Sequence, residues 1–283
     1  MASGGIAITL PPGNLGGVLT RRCTTSNLVW YESPLLAAAG VPHGFSTRLG
    51  GVSVGPFTSL NFGNPGGFEL RDDLEAIAEN HRRLQEAIGA SGRHVLRVHQ
   101  VHGNRVIDAG DGCAWDNSAQ ADAIIATHPG QLASVRTADC VPILLATDDG
   151  RAVAAVHAGW RGVVAGAVAN AIARLRIVRQ GRGIIAAIGP CIGMEAFEVG
   201  LEVLEAFATL LGDLAPIRRR ADGKGHVDLR RAVALQLQAN GVSDDHIDAT
   251  DQCTVRDAAE FFSHRRDAGL TGRMIALIGV RSD

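Results

Sequence analysis

Apolar and polar positions alternate along this chain with two periods, and the changes of period mark its elements. Over residues 70–88 the apolar positions Leu70, Leu74, Ile77, Leu84 and Ile88 recur at spacings of three, four or seven, and Gly89 follows as a stop. That spacing places them on one face of an amphipathic helix. Short apolar runs bounded by turn residues follow at 94–98, 104–108, 123–126, 133–136, 141–146 and 152–157. They read as strands of a central sheet. Residues 163–175 are Ala-rich with helical spacing, 184–188 reads as a buried strand, 201–211 and 228–240 as helices, and 274–280 as a closing strand. Consecutive strands are joined by short turns as well as by helices, which predicts a mixed or antiparallel α+β layering rather than a doubly wound parallel sheet.

Composition narrows this to one body. With 283 residues, of which 46% are hydrophobic, and with no internal repeat or linker, residues 27–283 are expected to form a single domain. Residues 1–26, rich in Gly, Pro, Ser and Thr, read as a loose tail or a short edge element. A formal charge of -2 gives no long-range attraction for nucleic acid or an anionic membrane, so an anionic substrate must be met by local groups. Five widely spaced cysteines suit a reducing compartment, and no stretch resembles a signal peptide or reaches transmembrane length. A cytoplasmic location is expected.

The stretch VRTADCVPILLATDDGRAVAAVHAGWRG, residues 135–162, carries the candidate chemistry. Two apolar runs flank Asp148-Asp149-Gly150 and predict a β-hairpin. A turn centred on Asp148 and Asp149 sets Cys140 opposite His157, and one centred on Asp149 and Gly150 sets Cys140 opposite Gly159, with His157 on the diagonal. Either way a thiol and an imidazole converge, a pair that suits zinc. A third ligand would complete an open catalytic site. From spacing alone His102 and His99 are equally good donors, and without further information Cys140 reads as a buried structural thiol, His157 as a core histidine and His102 as a loop histidine.

Seven motifs in order remove that ambiguity: HGFSTRLGGVS (43–53), SLNFG (59–63), QVHG (100–103), TADC (137–140), HAGWRG (157–162), GPCIG (189–193) and FFSHRRDAGLTGR (261–273). Together they resemble the YfiH family of laccase-domain proteins, also called multicopper polyphenol oxidases, over nearly everything beyond residue 40. One departure is His264, where an aromatic Tyr is expected. The resemblance implies a layered α/β/β/α-type sandwich and a metal held by His102, Cys140 and His157. It implies a purine nucleoside phosphorylase acting on adenosine, inosine and methylthioadenosine, with adenosine deaminase activity beside it. Purine nucleosides and phosphate are then the partners, with neither nucleic acid nor membrane, and the chain is expected as a monomer or small homo-oligomer.

A three-ligand zinc leaves a position for water or a substrate oxygen and lowers the pKa of water to about 7, which suits attack on adenine C6. Phosphorolysis also needs anion-binding groups. Arg161, where a strand ends and a helix begins, is the first phosphate candidate, and Arg48 in the Gly-rich stretch 46–51 is a second phosphate-binding and catalytic candidate. Asn61 is a candidate to orient a ribose or base edge. Both arginines serve equally well structurally, for instance by pairing with Asp139. His81, His94, His99 and His264 are assigned no role, and Cys191 is read as structural. The competing readings are a cysteine hydrolase using Cys140 and His157, a copper polyphenol oxidase, whose cluster calls for more His-x-His pairs than occur here, and a binding module with structural zinc, which would need paired ligand spacings that are absent.

Overall fold

The computed structural model describes residues 17–110 and 118–282. Residues 1–16 of the expected tail and Cys113 lie outside them.

Strict alternation in the strands builds four layers, helices over two stacked sheets over a helix. One sheet runs in the order Gly17–Val18, Ile247–Ala249, Ile184–Ile188, Val141–Thr147, Val153–Ala158, Ala123–Ala126 and Val106–Asp108. The other runs Thr20–Cys23, Val29–Glu32, His43–Ser46, Met274–Gly279, Gln131–Thr137 and His94–Leu96. Both are mixed, and most of their pairings are antiparallel. Leu144, Ala146, Val153 and Ala155 of the first sheet face Ala133, Val135, Ala276 and Ile278 of the second, forming the central core. The alternate positions Ile143, Leu145, Ala154 and Val156 turn outward beneath the helices Ala167–Val178 and Leu229–Ala239. On the far side Leu132, Ile275 and Leu277 meet Leu84 of the helix Leu74–Ala87. A small third sheet, Glu198–Val199, Gly225–Val227 and Ile217–Arg219, lies outside these layers.

Several expectations are corrected. The runs 133–136 and 141–146 belong to different sheets, because residues 138–140 carry the chain from one sheet to the other. Of the two readings of the N-terminal segment, residues 17–23 take the edge element, since Gly17–Val18 and Thr20–Cys23 each pair with a neighbour at the edge of a sheet. The helix expected from residue 70 starts at Leu74, capped by Asp73 onto the Glu75 N–H, and Leu70 and Leu74 are exposed. The helix expected over 163–175 is two, Trp160–Val164 and Ala167–Val178, separated at Gly166, whose φ of +81° suits glycine.

The hairpin takes the Asp149-Gly150 register, with His157 opposite Pro142 and Ala158 opposite Val141, so Cys140 lies one step further along, beside Gly159. The register opposing Cys140 to His157 is therefore replaced, and the physical reason is local. Gly150 alone in the turn takes a positive φ, and Asp149 Oδ1 accepts from Thr147 Oγ1 at 2.6 Å and from the Arg151 N–H at 3.1 Å.

Candidate metal centre and cavity

Three separate segments deliver the triad. His157 comes from the strand Val153–Ala158, Cys140 from the crossover between sheets, and His102 from the loop after His94–Leu96. One potential ligand atom from each lies within 4.8 Å of the others, and this is the one cluster of three or more such side chains among the described residues. Cys140 Sγ is 3.9 Å from His102 Nδ1, and the two imidazoles meet edge-on at 4.8 Å between centroids.

Asp122, fully buried, holds the set in place. Its Oδ1 accepts from His157 Nδ1 at 2.8 Å and from the His102 N–H at 3.0 Å, and its Oδ2 accepts from the N–H groups of Gly103 at 2.7 Å and Val101 at 3.3 Å. The first bond turns the other ring nitrogen of His157 toward the centre. The others hold the loop in which His102 takes a φ of +59°. Gly159 leaves the space the triad uses, for a Cβ there would lie 2.8 Å from His102 Nδ1 and 3.0 Å from Cys140 Sγ. Asp139, next to Cys140, pins the crossover by accepting from Thr254 Oγ1 and the Arg265 N–H, both at 2.6 Å.

The electrostatics suit a thiolate. Burial pushes the Cys140 thiol up, but the charge on His157 and hydrogen bonds from both imidazoles outweigh it and bring the pKa down to about 6. Burial pushes His157 down, yet the Cys140 thiolate and Asp122 hold it up at about 9. Burial likewise opposes the Asp122 charge, and its hydrogen bonds from His157 and the loop keep its pKa low. One thiolate and two imidazoles are a donor set that fits zinc.

The triad forms part of the wall of a ≈ 630 Å³ cavity, with Gln100, Ile192, Phe197 and the arginines Arg71, Arg136, Arg265 and Arg273. His99 and His264, which the sequence reading set aside, line it too. The expected substrate residues do not. Arg48 donates to the carbonyls of Thr58 at 2.9 Å and Ala258 at 3.4 Å and lies over the Phe262 ring. Asn61 is fully buried, donating to Asp72 at 2.7 Å and accepting from the Arg273 N–H at 2.8 Å. Arg161 is exposed and stacks on Trp160. Neither Arg48 nor Arg161 bonds to Asp139. Cys191 is buried and its thiol is pushed up to about 11 by that burial. Of the residues missed, Arg265 and Arg273 stand inside the C-terminal motif, whereas Asp122 and Arg136 carry no local signal.

Residues 42–281 match the family model described as multi-copper polyphenol oxidoreductase laccase. A purine nucleoside phosphorylase of Deinococcus radiodurans is 38% identical over 259 residues, 91% of this chain and 95% of that protein. The crystal structure of YlmD from Geobacillus stearothermophilus superposes with a TM-score of 0.79 at 34% identity, covering 89% of this chain and 96% of that one. That of a Bacillus licheniformis hypothetical protein, YfiH, also reaches 0.79, at 27% identity over 92% of this chain and 98% of that one. The sandwich, the metal-type cluster and these likenesses agree, and the chain belongs to the YfiH-type laccase-domain family.

Proposed function

We propose that this protein is a zinc-dependent purine nucleoside phosphorylase, acting on adenosine, inosine or methylthioadenosine, with adenosine deaminase activity in the same cavity. The observation that carries this reading is the convergence of His102, Cys140 and His157 on the wall of a cavity that four arginines also line. The relative in Deinococcus radiodurans is named for the phosphorylase activity. A volume of ≈ 630 Å³ falls in the range of small-molecule sites and is ample for a nucleoside with phosphate.

In phosphorolysis the bond between ribose C1' and the purine nitrogen breaks as a phosphate oxygen bonds to C1'. The electron pair leaves with the base, which must be stabilised or protonated. Arginines hold the phosphate, Ile192 and Phe197 offer apolar surface to the purine, and Asp122 keeps His157 and the His102 loop fixed while this happens. Zinc, held by His102, Cys140 and His157, would supply Lewis-acid polarisation and activation of water for the deamination. A single cluster among the described residues, and no His-x-His pair in the sequence, favour this over multicopper oxidation. We place the enzyme in the cytoplasm, as a monomer or small homo-oligomer. No helix among the described residues is long and apolar enough to cross a membrane.

A second reading has its own support, because Cys140, His157 and Asp122 stand in the serial order a cysteine hydrolase uses. Purification without added metal, metal analysis, and assays of adenosine and inosine with and without phosphate separate the two. Zinc near one per chain and phosphate-dependent release of base, both lost in Cys140→Ala, are expected. A metal-free protein inert to nucleosides, with Cys140 readily alkylated, would sink the phosphorylase reading in favour of the hydrolase.

A further inference from the structure

Arg136 sits on the strand Gln131–Thr137 and lines the cavity with Arg273 and Cys140. Gln100 clamps its backbone from both sides, accepting from the Arg136 N–H at 2.8 Å and donating to its carbonyl at 2.8 Å. Its guanidinium rests against Gly63, where a Cβ would come within 2.4 Å of Nη1, so the missing side chain at 63 is what gives the guanidinium room. The position is thus built with care, yet among the described residues no carboxylate or carbonyl receives the guanidinium. Five N–H donors in a mostly buried group normally find acceptors.

The charges nearest to it are of its own sign. Burial, then Arg97 and Arg273, hold its pKa below the usual arginine value. Arg273 is anchored by donating Nη1 to the carbonyls of Thr271 at 2.9 Å and Gly272 at 3.0 Å, neutral groups that fix its place, and its charge is favoured, against its burial, only by the nearby Asp139 and Cys140. Asp139, the one acid on the cavity wall, has an oxygen committed to Thr254 and the other to the Arg265 N–H. Burying like charges without a partner is costly, and a folded chain tolerates it where a ligand supplies the opposite charge. The open fork of a guanidinium matches a tetrahedral oxyanion in shape as well as sign.

We propose that Arg136 and Arg273 form an oxyanion subsite beside the metal centre, and that its occupant is inorganic phosphate. The subsite itself stands on the unpartnered guanidinium, and only the occupant's role as co-substrate rests on the phosphorylase reading.

The test titrates inorganic phosphate into the zinc-loaded protein and into Arg136→Met and Arg161→Ala, reading both affinity and thermal midpoint. Phosphate is expected to raise the midpoint of the unsubstituted protein. Arg136→Met should weaken phosphate binding by roughly tenfold to a hundredfold, the loss expected for charged hydrogen bonds. In phosphate-free buffer the same variant should unfold no earlier than the unsubstituted protein, because it removes a repelled charge. Arg136→Lys, which keeps the charge and loses the fork, should fall between and serves if the Met variant does not fold. Where phosphorolysis is measurable, KM for phosphate should rise in Arg136→Met while KM for the nucleoside and the zinc content hold. Unchanged phosphate affinity in Arg136→Met, loss of it in Arg161→Ala instead, or binding of adenosine 5'-monophosphate but not of inorganic phosphate overturns the proposal. Phosphate binding that depends on Arg136 in a protein inert to nucleosides supports the subsite and rejects the phosphorylase reading alone.

Discussion

Asp122 places four hydrogen bonds on one carboxylate, and they couple two of the three candidate ligands. A neutral amide of the same size cannot accept all four, since one of its ends donates. Asp122→Asn is therefore expected to keep the fold and weaken zinc affinity by about 10- to 100-fold, the usual cost of losing a histidine's outer partner. Competition with a chromophoric chelator measures this, and an unchanged affinity would remove Asp122 from the metal centre. Asp122 does not announce itself in the sequence. A lone Asp before an apolar strand is ordinary, and its partners lie 19 to 35 positions away. Cys140 and His157 were legible because one hairpin brings them together and so ties their proximity to sequence separation. His102 was legible only through the ordered motifs, since spacing alone left it level with His99 and its approach depends on the Asp122 carboxylate that folds its loop.

At the scale of the element, the periodicity reads best where the side chains see one uniform environment. The strands Ala123–Ala126 and Ile184–Ile188 and the helix Leu201–Leu211 coincide with the segments expected, since each is bounded by a turn residue and buries the face its pattern marks. Val29–Glu32 and His43–Ser46 escape notice because they are short, and because His43 and Ser46 are buried through specific hydrogen bonds rather than by apolarity. The hairpin turn decides the register on which the Cys140 position depends. Gly150 has a φ of +68°, and a Cβ there would lie 2.9 Å from the Ala39 carbonyl. Gly150→Ala should therefore destabilise the protein by about 1 kcal/mol or more, read as a lower urea midpoint. A midpoint equal to that of the unsubstituted protein would show that the turn relaxes freely.

For the whole molecule, stacking two sheets and covering both with helices traps a few titratable groups. His81 is one of them, with neither ring nitrogen hydrogen-bonded and its ring edge-on to Phe62. Burial first, then Arg97 and Arg136, lowers its pKa to about 4. The unfolded chain binds a proton at His81 below about pH 6.5, and the folded one does not until about pH 4, so this residue makes stability fall as pH drops across that window. At about 1.4 kcal/mol per unit the effect amounts to at most about 3.5 kcal/mol. His81→Leu should flatten the pH dependence of the unfolding free energy between pH 6.5 and 4 in phosphate-free buffer. A slope unchanged by the substitution would place the acid sensitivity elsewhere.

The sequence by itself determined the α+β class, most of the helices and half of the strands among the described residues, the hairpin that brings Cys140 near His157, and through its ordered motifs the family. These follow from local spacing and from chain separations short enough for one turn to control. Only the tertiary structure decided that residues 138–140 step between two sheets, that Arg48, Asn61 and Arg161 are held by neighbours away from the cavity, and that Arg136 and Arg273 both line it. An arginine's role depends on which acceptors reach it. Those acceptors are set by the packing of strands far apart in the chain, which no local pattern encodes.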